Sequence, residues 1–117
     1  MAITTVTTPV KAPIEVIFKA ISDPSVFMEK VPHITNVEFL TEQKTGKGTK
    51  FRETRLMHGK EQSTDLEITE YVENESVRMI ADTHGTVWDT LFTLQKDGDH
   101  VNIILEMEAR AYKLLSR

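Results

Sequence analysis

Residues 10–32 read VKAPIEVIFKAISDPSVFMEKVP. Within this stretch Ile14, Ile17, Phe18 and Ile21 fall at i, i+3, i+4 and i+7, the spacing of one face of a helix. Pro13 suits the first helical position, where the missing N–H has no intrahelical partner to lose. Asp23-Pro24 ends that helix, because a residue before proline avoids the α region. The Asp23 carboxylate is then free to cap a second short helix over 24–30, which Pro32 closes. Two short helices joined at a proline make a V-shaped unit, and the segments on either side of it set the fold class.

Upstream, residues 3–10 are rich in threonine and valine and read as a strand, with Pro9 near its end. Downstream the apolar period changes to two. Strands are predicted over 34–40, 49–57, 62–72, 77–83, 86–95 and 101–112. Their connections are Thr45-Gly46-Lys47-Gly48, His58-Gly59-Lys60, Glu73-Asn74-Glu75, His84-Gly85 and Lys96-Asp97-Gly98-Asp99. Connections this short join antiparallel neighbours. The expected class is α+β: a strand, two helices, then a meander, in an antiparallel sheet of six to seven strands. Over 109–117, Ala111, Leu114 and Leu115 stand at helical spacing and read as the first turns of a further helix.

The 117 residues suit one domain, 1–117. A net charge of −4, from 14 basic and 18 acidic residues without a basic run, lacks the footprint of a nucleic-acid binder. The absence of cysteine excludes disulfides, thiolate metal sites and a cysteine nucleophile, and it fits a reducing compartment. Residues 1–10 are threonine-rich and alternating, with no apolar stretch behind a basic start, and are not expected to be a secretory leader; no apolar run nears the roughly 20 residues of a membrane span. The expectation is a soluble, cytoplasmic protein without stable membrane insertion. The histidines, His33, His58, His84 and His100, lack the spacing of a metal pair, so no metal is expected. No nucleophile elbow, Walker loop, dinucleotide fingerprint or zincin motif is present, and no cofactor is expected.

Alternate residues of a strand share a face. In 49–57 the odd positions, Phe51, Glu53, Arg55 and Met57, carry the aromatic ring and the methionine, so that face is assigned to the interior. Glu53 and Arg55 then enter with it, either as a self-satisfied ion pair at a wet rim or as a ligand-orienting pair, because lone buried charges are costly. Leu66 and Ile68 point inward from 62–72, and Val77, Met79 and Ala81 from 77–83. Trp88, Thr90, Phe92 and Leu94 share a face, as do Val101, Ile103, Leu105 and Met107. Phe27, Met28 and Val31 can close one end. Asp89 is assigned to solvent. Any general acid/base role falls to Glu53, with Arg55 beside it.

The element order resembles the START-like superfamily, also called SRPBCC, which includes the birch-pollen allergen fold and polyketide cyclase/dehydrase-like proteins. Val10 to Phe18 looks like the family's I-x-A-P-x-x-x-V-F entry to the first helix, continued by Ile21-Ser22-Asp23-Pro24 and Val31-Pro32. Gly46-Lys47-Gly48-Thr49 resembles its G-x-G-T hairpin, and Leu66-Glu67-Ile68-Thr69-Glu70-Tyr71 its E-I-x-E-Y strand. The resemblance implies a helix-grip fold with a curved sheet and a C-terminal helix, of which this chain carries only the start. It also implies a cavity for a small apolar molecule such as a lipid, polyketide or isoprenoid-like compound. The ligand-binding candidates are Phe27, Met28, Phe51, Glu53, Arg55, Met57, Leu66, Ile68, Met79, Trp88, Thr90, Phe92, Ile103 and Leu105. Three functions stay open: a hydrophobic-ligand carrier, a cyclase/dehydratase-type enzyme using Glu53 and Arg55, or an interaction domain with an open groove. A homodimer through an uncovered concave face is the expected assembly if no helix covers it.

Overall fold

The computed structural model describes residues 2–83 and 85–111. In chain order the elements are β1 (Ala2–Val10), α1 (Ile14–Ser22), α2 (Pro24–Lys30), β2 (Ile34–Phe39), β3 (Lys50–Met57), β4 (Lys60–Val72), β5 (Ser76–Thr83), β6 (Thr86–Asp97) and β7 (His100–Ala111). The strands form one seven-stranded sheet in the order β1-β7-β6-β5-β4-β3-β2. Every pairing is antiparallel. The run from β2 to β7 is the expected meander, and β1 returns to pair with β7. The two helices therefore bridge the opposite edges of the sheet, which places them across one of its faces.

The helices begin and end largely where their prolines dictate. Pro13 differs by one position: with φ −60° and ψ 141° it is the extended N-cap rather than the first helical residue. Its carbonyl still accepts from the Val16 and Ile17 N–H groups. Asp23 serves both helices, since its backbone N–H closes α1 on the Lys19 carbonyl and its Oδ1 accepts from Ser25 N at 2.9 Å. Ile17, Phe18 and Ile21 of α1 are buried, while Val16 on its other side is 60% exposed.

Turn chemistry fixes the strand register. The β3–β4 hairpin pairs Met57 with Lys60 around His58 at φ 53° and Gly59 at φ 77°. Positive φ at both central residues is what a type I′ turn requires, so β4 starts at Lys60 rather than at residue 62. Between β2 and β3 the G-x-G-T stretch closes on itself. Gln43 Nε2 donates to the Thr45 and Lys47 carbonyls at 2.7 and 2.8 Å, and the buried Thr49 hydroxyl donates to the Gly46 carbonyl at 2.8 Å. Register shifts at Ile34/Asn36 and Ile68/Glu70 bend the sheet. At the far end, Ala109 and Ala111 are β7 residues opposite Trp88 and Thr86. The helical spacing predicted to begin there yields to cross-strand pairing. Tyr112, Leu114 and Leu115, like His84, lie outside the described residues.

The core lies on the concave face. α1 sets Ile17, Phe18 and Ile21 against Phe51, Ile68, Val77, Leu94 and Val101. The Phe18 ring meets Tyr71 edge-on at 5.2 Å. The remainder of the concave face, beyond α1 and beside α2, is where space is left.

Candidate functional site

That space is a pocket of about 190 Å³. α1 contributes Ile21 and α2 contributes Pro24 and Phe27. The sheet wall is built from Phe51, Glu53 and Arg55 of β3, Leu66 of β4, Met79 of β5, Thr90 and Phe92 of β6, and Leu105 and Met107 of β7. The pleat explains why these side chains converge: Phe51 pairs with Leu66, Met79 with Thr90, and Phe92 with Leu105, and cross-strand partners share a face. Most of the lining is apolar, and its polar members are Glu53, Arg55 and Thr90.

Nine of the residues singled out in the sequence therefore meet here: Phe27, Phe51, Glu53, Arg55, Leu66, Met79, Thr90, Phe92 and Leu105. The others sit elsewhere. Ile68 is fully buried under α1 and Ile103 packs against the same core. Met28 is half-buried on α2. Met57, assigned to the interior, is 47% exposed because β3 has run past the helices by that point, and Trp88 is 43% exposed near the start of β6. Ile21, Pro24 and Met107 join the wall without having been singled out as site residues. Ile21 and Met107 carried the signal, being on the inward faces of their elements, whereas nothing in the sequence marked Pro24.

Glu53 and Arg55 lie two apart on β3 and so point the same way. Arg55 Nε donates to Glu53 Oε1 at 2.6 Å. The Glu53 side chain is 11% exposed and the Arg55 side chain 39%, which sets the pair at the mouth with the carboxylate on the inner side. The two interior-facing charges thus pair with each other through one Arg55 nitrogen and one Glu53 oxygen.

The convex face is organised by charge. Asp89, assigned to solvent in the sequence, does leave the concave face, but its side chain is only 12% exposed. Two arginines cover it: Arg78 Nη1 donates to both Asp89 oxygens at 3.0 and 2.9 Å, and Arg110 Nη1 lies 3.5 Å from Oδ2. Arg78 Nε also lies 2.7 Å from Glu70 Oε2, an ion pair without hydrogen-bond alignment. Further along the sheet Arg52 donates to Asp65 from Nε at 2.7 Å and from Nη2 at 3.1 Å. That bond from Arg52 holds the Asp65 carboxyl below the usual aspartate range and holds the Arg52 guanidinium above its own. Among the described residues no group of three His, Asp or Glu is placed to hold a metal. No described helix is long and apolar enough to cross a membrane.

No protein-family model matches the chain, and no curated protein matches it in sequence. Solved structures do match in shape. Major latex-like protein 151 from Panax ginseng superimposes with a TM-score of 0.79 at 11% identity, covering 94% of this chain and 79% of that one. A START superfamily protein from Mycobacterium smegmatis gives 0.77 at 15% identity, covering 93% and 77%. Ara h 8.0201 gives 0.76 at 15% identity, covering 94% and 78%. At such identities the likeness speaks to fold alone, and it agrees with the antiparallel meander, the first strand returned to the last, and the helices set across the concave face. The chain has the START-like, or SRPBCC, helix-grip fold.

Proposed function

We propose that this chain works as one domain spanning 1–117 and binds a small hydrophobic molecule in the cytoplasm, as a carrier or sensor. The observation that carries the reading is the concave pocket, apolar along its helix and sheet walls, with its charges confined to one mutually paired couple at the mouth. Apolar walls with a few placed polar groups are the usual make-up of a small-molecule site. Its volume of about 190 Å³ falls below the roughly 300–1,000 Å³ typical of such sites. The ligand is therefore compact, or it projects through the mouth. The START-like fold and the cysteine-free composition support the reading. A cyclase/dehydratase role has less behind it: Glu53 is the sole carboxylate in the lining, and Arg55 already occupies one of its oxygens.

Native mass spectrometry of freshly purified protein tests this together with titration of a neutral fluorescent apolar probe, N-phenylnaphthylamine. The expected result is a co-purified small molecule, or saturable probe binding that Thr90→Trp blocks by filling the pocket. Ligand-free protein combined with no saturable probe binding overturns it.

A further inference from the structure

We propose that the ligand is an amphiphile with an anionic head, a carboxylate or similar oxyanion, that docks on the Nη nitrogens of Arg55 while its apolar body fills the pocket. This rests on the pocket reading above and adds the ligand's chemical class to it.

The arginines of the chain carry the argument. On the convex face each one meets two carboxylates: Arg52 meets Asp65 and Glu38, Arg78 meets Glu70 and Asp89, and Arg110 meets Asp89 and Glu108. Among the described residues Arg55 is the only arginine with a single acidic partner. Glu53 takes the Nε–H, and no described residue accepts from either Nη. A guanidinium has five N–H donors in a fixed planar fork. With the Nε position filled, the Nη1–Nη2 edge remains, and its spacing matches the two oxygens of a carboxylate. Glu53 thereby pins the guanidinium and leaves its binding edge open.

The concave face is graded so that a head group would come to rest at this point. Ile68 and Val77 are fully buried beneath α1, and Leu66 and Met79 line the pocket beyond them. One step beyond Leu66 the β3–β4 part of this face turns polar, with Glu53 opposite Thr64 and Arg55 next along β3, whereas Met79 is followed by the apolar pair Ala81 and Trp88 before Thr83 meets Thr86. An apolar tail inserted toward α1 places its head level with Arg55. A cationic head is disfavoured, because Glu53 is the more enclosed member of the couple and already holds the Arg55 charge on Oε1.

Competition against bound N-phenylnaphthylamine at neutral pH, where carboxylic acids are ionised, separates the possibilities with decanoate, decanol and decylamine as competitors. Decanoate is expected to bind about tenfold or more tightly than decanol or decylamine, the scale of a charge-assisted hydrogen bond. In Arg55→Gln the acid-to-alcohol preference should fall to about one, and Arg55→Lys should restore part of it. Glu53→Gln, which removes the negative charge beside the head-group position while its amide oxygen can still accept from Arg55 Nε, should strengthen decanoate binding, and it gives an independent reading if an Arg55 variant folds poorly. Equal affinity for acid and alcohol in the unaltered protein, or a preference that survives Arg55→Gln, overturns the head-group assignment and leaves the apolar pocket standing. Failure of the neutral probe itself to bind overturns both.

Discussion

Glu53 on the concave face and Asp89 on the convex face are almost equally shielded, with side chains 11% and 12% exposed. Their surroundings differ. Asp89 sits between Arg78 and Arg110, which donate to both of its oxygens, and nothing about it awaits a partner. Glu53 has one arginine, bound through one nitrogen, in a wall that is otherwise largely apolar. Shielding alone therefore does not mark a functional charge. What separates the two is how many arginines meet the carboxylate: two donate to Asp89, whereas Glu53 has Arg55 alone, and Arg55 keeps both Nη nitrogens without a described acceptor. The same sheet uses cross-strand ion pairs to hold its outer surface together and keeps its inner surface for burial.

The largest effects should come from the inner surface. Ile68 is fully buried between α1 and the sheet. Ile68→Ala is expected to lower unfolding free energy by about 2–5 kcal/mol, through lost transfer energy plus a residual cavity. Urea denaturation monitored by Trp88 fluorescence measures this. A loss under about 1 kcal/mol would mean that the concave core closes over the gap, and the contrast between a packed deep end and an open mouth would fail.

The next test sets the two carboxylates against each other. Asp89→Asn leaves Arg78 and Arg110 without their shared charge and should cost about 1–3 kcal/mol, the range for a stranded shielded donor. It should stay below the roughly 3–5 kcal/mol of a fully buried pair, because the two arginine side chains are 30% and 38% exposed. Glu53→Gln should cost less than about 1 kcal/mol, since Arg55 is freer and can turn to water. The reverse order, with Glu53 the costlier loss, would make the concave couple a structural clamp and undercut its availability to a ligand.

Much of this was legible in the sequence because it rests on local chemistry. Pro13, Asp23-Pro24 and Pro32 punctuate the helices wherever the chain goes, and period-two alternation set the inward face of each strand. The inward turn of Glu53 and Arg55 followed from Phe51 being their neighbour on that face. What escaped depended on where one element stops relative to another. Met57 and Trp88 are on the correct face but past the end of the helices, and alternation says nothing about how far a helix reaches. Asp89 was assigned to solvent because the residues that cover it, Arg78 and Arg110, are far from it in sequence and arrive beside it only through the β5–β6 and β6–β7 registers. Pro24 reads as helix punctuation, and its second role in the pocket wall appears only once α2 is docked.

The smallest expected effect belongs to the exposed convex pair, Arg52 and Asp65, and its sign is fixed. The hydrogen bond from Arg52 is the main cause that lowers the Asp65 carboxyl; partial desolvation opposes it and the Arg52 charge reinforces it. A carboxyl whose folded value is depressed adds stability that is fully present above its unfolded value and is lost as pH falls through the folded one. Asp65→Asn should therefore destabilise the protein slightly at neutral pH, and the gap from the unaltered chain should close as the solution is acidified below the ordinary aspartate range. The raised Arg52 value acts only in strong alkali and contributes nothing to this window. Because the side chains are 44% and 53% exposed, added salt should shrink the gap as well. Urea midpoints across an acid pH series, at low and high salt, give the measurement. A gap that stays constant with both pH and salt would show that Asp65 acts through packing or strand propensity, leaving the ladder around Asp89 as the electrostatic support of the outer face.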